Sequence, residues 1–136
     1  MTPAMDFRDE LLFLAVTVAM EAANQPDDGK LAVAFVICNR DHSVLDAIFQ
    51  PYQFSAWNTK SVTRMNLDQL DASTFRSCYR AACLAYFAAV PDPSKGATHY
   101  LNPVTVASLN NGEMPAWYDP ARITATIGDH EFLRLA

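Results

Sequence analysis

The segment KLAVAFVICN, Lys30 to Asn39, is apolar nearly all the way round when wound as a helix. An element of that kind is stable only when it is buried on most sides. Its β-branched residues leave a strand open, but Ala32, Ala34 and a preceding Asp27 or Asp28 able to cap favour the helix. Upstream, Phe7 to about Ala23 has one apolar face: Phe7, Leu11, Leu14, Ala15, Val18 and Ala22. A Pro26-Asp27-Asp28-Gly29 turn separates the two helices. Val44 to Phe49 reads as a short helix stopping before Pro51. Ser73 reads as the N-cap of a helix reaching about Ala89, with Phe75, Tyr79, Ala82, Tyr86 and Ala89 on its inner face. Residues 58–72 carry no firm period. The last third changes character. Ala97 to Asn102 reads as a short strand, Asn110 to Pro115 as a turn or loop, and ITATIGDHEFLRL as a hairpin around Gly128-Asp129. Helices first and a small antiparallel sheet last predict a mainly helical α+β fold, one domain over residues 1–136.

With 136 residues, 51% of them hydrophobic, the chain can bury a core without disulfides or metal. The net charge of −5 and the lack of a basic cluster argue against nucleic acid and against anionic membrane surfaces as partners. Cys38, Cys78 and Cys83 form no CxxC pair, so neither a disulfide framework nor a thiolate zinc site is expected. His42, His99 and His130 lack metal-ligand spacing, and no cofactor is expected. The segment MTPAMDFRDELLFLAVTVAM has no basic n-region and places acids ahead of its apolar run. It fits neither a signal peptide nor a membrane span, so synthesis in the cytoplasm is the expectation.

In VAMEAANQP, Glu21 falls on the apolar face of the first helix, seven residues after Leu14 and three after Val18. A carboxylate there is desolvated, and its pKa rises. The negative end of the helix dipole acts in the same direction. A raised pKa suits a general acid that protonates a glycosidic oxygen. The plainer alternatives are a side chain frayed into solvent or paired with Arg40. The loop QPYQFSAWN mixes Tyr52, Phe54 and Trp57 with hydrogen-bonding Gln50, Gln53, Ser55 and Asn58, a mixture that suits sugar rings and hydroxyls. THYLNP and EMPAWYDP add Tyr100, Trp117 and Tyr118. Aromatic residues in loops also serve as simple hydrophobic plugs. His99 and His130 are placed to orient a substrate. There is no GxSxG, and Cys38 lies in an apolar run, so a nucleophilic mechanism finds no support.

Four segments taken in order resemble one family. AMEAANQPDDGKLAVAFVICNR, IFQPYQFSAW, GATHYLNP and TIGDHEF are similar to the cell-wall hydrolases related to the spore cortex-lytic enzyme SleB. The resemblance runs from about Leu12 to Leu133 and implies a lysozyme-like catalytic core. It implies cleavage of peptidoglycan glycan strands between N-acetylmuramic acid and N-acetylglucosamine, in the manner of a lytic transglycosylase. It places the catalytic acid on Glu21, and cleft-facing positions on Ser55, Thr98, Tyr100 and Asn102. Gln53, Trp57, His99 and His130 match with roles less defined, and Trp117 joins them as a substrate-binding candidate. The family's Glu-Ala-Arg-Gly turn is Glu21-Ala22-Ala23-Asn24 here.

The expectation is a monomer acting on glycan strands, set in the context of a phage endolysin that reaches the wall once the inner membrane is breached. An acidic wall enzyme must rely on its cleft contacts, so salt should affect it little. A hydrolytic muramidase is the nearest alternative and needs a second carboxylate, with Asp41, Asp119, Asp129 and Glu131 available. A non-catalytic glycan-binding module is the alternative from another class.

Overall fold

The computed structural model describes residues 6–40, 43–49 and 70–135. Helix α1 spans Phe7–Ala22, α2 Asp27–Asn39, α3 Val44–Phe49, α4 Ala72–Tyr86 and α5 Pro103–Leu109. Strands β1 (His99–Leu101), β2 (Ile123–Ile127) and β3 (His130–Leu133) form one antiparallel sheet in the order β1-β3-β2. This is the expected α+β layout.

Helices α1, α2 and α4 pack on one another, and α3 closes against α1 and α2. As its composition requires, α2 is buried at Gly29, Lys30 and every residue from Ala32 to Ile37. Leu14, Val18, Val33, Val36, Ile37, Ile48 and Phe132 are withdrawn from water almost entirely. Each such aliphatic side chain contributes about 1.5–3 kcal/mol. Ala15, Ala19, Ala22, Ala32, Ala34, Ala82 and Ala85 lie between them, and their small size lets the helix axes come close. Thr17 is buried on α1 without leaving a polar atom unmatched, since its Oγ1 donates to the Phe13 carbonyl at 2.7 Å.

Several expectations shift. Phe7 is 52% exposed, at the first turn of α1 and edge-on to Phe87. Asp27 and Asp28 sit inside the first turn of α2, where they meet the helix dipole; the cap position is Pro26. On α4 the N-cap is Asp71, whose carboxylate accepts from Thr74 N at 2.7 Å, and the helix ends at Tyr86. Its buried stripe is Cys78, Ala81, Ala82 and Ala85, while Tyr79 and Ala89 are exposed. The stripe is thus rotated towards the small residues, which allow the closest approach to α1 and α2. Helix α5 was not anticipated. Asn102 Oδ1 accepts from Thr105 N at 3.1 Å and Pro103 follows at the first turn, a cap-and-proline start for a seven-residue helix with no buried side chain.

Two sets of long-range hydrogen bonds join helices to sheet. At the end of α2, Asn39 Nδ2 donates to Asp92 Oδ2 and to the Ala97 carbonyl, both at 2.9 Å, and Arg40 Nε donates to the Thr98 carbonyl at 2.9 Å. These fix the chain as it enters β1. Beyond α1, Gln25 Oε1 accepts from Asp129 N at 3.0 Å, and Gln25 Nε2 donates to Asp129 Oδ2 at 2.9 Å. Gly128 turns the hairpin with φ +57°, and a Cβ on it would overlap Gln25 Oε1. Gly128→Ala therefore carries both left-handed strain and a collision. It is predicted to lower stability by about 1–3 kcal/mol in denaturant unfolding. An unchanged unfolding midpoint would contradict the hairpin contact.

Candidate active site

Glu21 occupies the last turn of α1, on the face that periodicity assigned to it. It is mostly removed from water, and burial pushes its pKa up from 4.5 to about 7. Tyr100 on β1 brings its hydroxyl close enough to act on the carboxylate. The hydroxyl favours the ionised form and so opposes the rise, but the cost of burial is larger. Glu21 is neither frayed nor free, which removes the first of the plainer readings. The Tyr100 hydroxyl is held protonated by its own burial and by the Glu21 charge, with the Arg40 guanidinium acting against them.

The sheet register explains how Tyr100 comes to be there. Tyr100 pairs with Phe132 across the β1–β3 ladder, and His130, two residues before Phe132, lies on the same face. The rings of Tyr100 and His130 meet edge to face at 5.0 Å, and those of Tyr100 and Phe132 at 5.9 Å. His130 is 6% exposed, and its Nδ1 has no hydrogen-bond partner among the described residues. Burial depresses its pKa, so the ring is neutral at pH 7. It was expected to touch substrate. The structure instead walls it off behind Tyr100, because the β3 register turns it inward.

Thr98 and His99 form the second part of the site. Leu135 N donates to Thr98 Oγ1 at 3.1 Å, and Thr98 Oγ1 lies 2.9 Å from His99 Nδ1. The hydroxyl keeps both a proton and a second lone pair after accepting from the amide, so it can pair with Nδ1 in either tautomer of the ring. Burial and the Arg40 charge lower the His99 pKa. Trp117 stacks obliquely on His99 at 5.0 Å and is 37% exposed, a ring surface open to a ligand. Asn102 is half-buried, but its carboxamide oxygen is committed to the α5 cap. Gln53, Ser55, Trp57, His42 and Asp41 lie outside the described residues.

Three of the candidate second carboxylates have other occupations. Asp129 holds Gln25, Glu131 accepts from the Tyr118 hydroxyl at 2.8 Å, and Asp119 accepts from Ala121 N at 3.0 Å. Among the described residues no cluster of three His, Cys, Asp or Glu is arranged to hold a metal ion, and the three cysteines are free thiols. Burial pushes Cys38 up to about 11, which leaves it a poor nucleophile. No helix among the described residues is long and apolar enough to cross a membrane. Arg40 was singled out from sequence only as a possible partner for Glu21. Its Nε also bonds the backbone of Thr98, 58 residues away and just ahead of β1.

Between pH 4.5 and 7 the folded protein keeps a proton on Glu21 that the unfolded chain has released. Stability contributed by the protonated form is therefore complete below pH 4.5 and is lost by pH 7 and above, a fall of about 3 kcal/mol. Glu21→Gln removes this loss. The variant is predicted to gain on the wild type by about that amount between pH 4.5 and pH 8 in denaturant unfolding. An identical difference at both pH values would show that Glu21 titrates normally.

Sequence and structure comparisons place this geometry among known proteins. The sequence matches the Cell Wall Hydrolase family over residues 24–133. The fold is similar to the catalytic domain of the germination-specific lytic transglycosylase SleB from Bacillus anthracis. That match has TM-score 0.69 and 25% identity, and covers 98% of this chain and 100% of the other. It is also similar to the catalytic domain of the Bacillus cereus SleB protein, with TM-score 0.63 and 23% identity over 98% of this chain and 95% of that one. A search of curated proteins finds no match.

Proposed function

The chain belongs to the cell wall hydrolase family and is an enzyme of peptidoglycan breakdown; on that premise we propose that it is a lytic transglycosylase with Glu21 as its single catalytic carboxylate. The observation that carries this reading is a carboxyl group buried at a helix end, with its pKa near 7 and a tyrosine hydroxyl acting on it. At neutral pH about half of such groups hold a proton, the form a general acid needs. Glu21 gives that proton to the oxygen of the bond between N-acetylmuramic acid and N-acetylglucosamine as it breaks. The new carboxylate, stabilised by the Tyr100 hydroxyl, then takes the proton of the muramic acid C6 hydroxyl. The C6 oxygen attacks C1 and closes a 1,6-anhydro ring. The substrate supplies the nucleophile, so no second carboxylate is required.

Support for this route over hydrolysis comes from the hydrogen bonds that already engage Asp119, Asp129 and Glu131. A hydrolytic muramidase needs a second acid free to act at roughly 5 to 9.5 Å. Trp117 offers a sugar ring an aromatic face, with the His99 imidazole beside it to hydrogen-bond a hydroxyl. Thr98 holds the His99 ring in place, and Gln53, Ser55, Trp57 and Asn102 complete the proposed glycan contacts. The cellular setting we propose is host lysis by a phage.

The test is digestion of purified sacculi with mass spectrometry of the soluble fragments. Anhydro-muramic ends are expected from the wild type, and Glu21→Gln is expected to lose activity by about 100-fold or more. The rate should fall as pH rises through about 7, as the acid loses its proton. Reducing muramic acid ends would contradict the transglycosylase route. Undiminished turnover by Glu21→Gln would remove Glu21 as the acid.

A further inference from the structure

Gln25 is 5% exposed, four residues beyond Glu21, and both ends of its carboxamide are engaged by the β2–β3 turn. Its backbone is held as well. Gln25 N donates to the Ala22 carbonyl at 3.0 Å, and the buried Lys30 ammonium donates to the Gln25 carbonyl at 2.7 Å. Two glycines make room for it: a Cβ on Gly29 would come within 3.2 Å of Gln25 Cβ, and one on Gly128 would overlap Gln25 Oε1. None of this is used in acid catalysis itself.

Helix ends fray because their last carbonyls have no helical partner. Glu21 sits in that last turn. On the other side of the contact, Asp129 is followed by His130, whose ring lies against Tyr100. We propose that Gln25 is a positioning residue, a latch that pins the end of α1 to the hairpin and so holds Glu21 against Tyr100. This rests on the reading of Glu21 as the acid. The latch also accounts for the unmatched Nδ1 of His130. A buried nitrogen without a partner costs about 1–3 kcal/mol. It persists because the turn gripped by Gln25 fixes where that ring lies.

The test uses three variants and two readouts. In Gln25→Glu a carboxylate faces the Asp129 carboxylate; in Q25E/D129N the acid and the amide change places and the two-point contact can re-form. On soluble glycan strands, Gln25→Glu is expected to lower kcat by about 10- to 100-fold with KM changed by less than about threefold, and the double variant to recover most of it. A purely structural role would lower the amount of folded enzyme and leave the kcat of the folded fraction intact. The uncharged Gln25→Leu serves a carbon-13 titration of the Glu21 carboxyl, which needs no turnover. There the midpoint is expected to drop from about 7 towards 4.5 as water enters. The latch is overturned if Gln25→Glu keeps full kcat, if Q25E/D129N is no better than Gln25→Glu, or if Gln25→Leu leaves the midpoint unmoved. Should the wild type release no anhydro product, the transglycosylase reading fails, and the Gln25→Leu titration alone decides the latch.

Discussion

Keeping one carboxyl group dry at the end of a helix is the constraint around which this fold is arranged. Glu21 stays out of water because α1 packs along α2 and α4 through alanines and β-branched residues. Its last turn meets a tyrosine delivered by a three-residue strand. The Tyr100 hydroxyl favours the carboxylate as it forms, and burial keeps the proton on until then. The two effects oppose one another, and burial wins by enough to bring the pKa to about 7. A drier site would hold the proton too tightly to give it up. A wetter one would release it before substrate arrived.

Such an arrangement costs stability, and the rest of the molecule shows where the cost is met. The Asn39–Asp92, Asn39–Ala97 and Arg40–Thr98 contacts tie the end of α2 to the approach to β1. Gln25 ties the end of α1 to the hairpin. Both clasps join segments far apart in sequence, and both lie at helix ends, where the backbone would otherwise be loosest. The same segments carry Glu21, Thr98, His99 and Tyr100, so fold stability and site geometry depend on the same few polar contacts.

Helix existence and the hairpin were legible because periodicity and turn chemistry are local. Glu21 was legible for the same reason: a charged residue on an apolar stripe needs no knowledge of its neighbour. What touches that stripe is a long-range matter. The pairing of Tyr100 with Phe132 is fixed by sheet register, which joins residues 32 apart in sequence and placed His130 against the tyrosine. Gln25 drew no functional reading from the sequence, since nothing local shows that its carboxamide reaches a turn 104 residues on. The rotation of the buried stripe of α4 towards Cys78, Ala81 and Ala85 has a comparable cause. Close packing against two helices favours small side chains over the larger Tyr79 that amphipathic spacing selects. Helix α5 escaped notice because it buries nothing, leaving only the Asn102-Pro103 start as a signal.

The most direct test of the central claim is a site-specific carbon-13 titration of the Glu21 carboxyl in the wild type and in Tyr100→Phe. A midpoint near pH 7 in the wild type, moving higher when the hydroxyl that stabilises the carboxylate is removed, is the predicted result. A midpoint near the ordinary 4.5, or one that Tyr100→Phe leaves unchanged, would contradict the account.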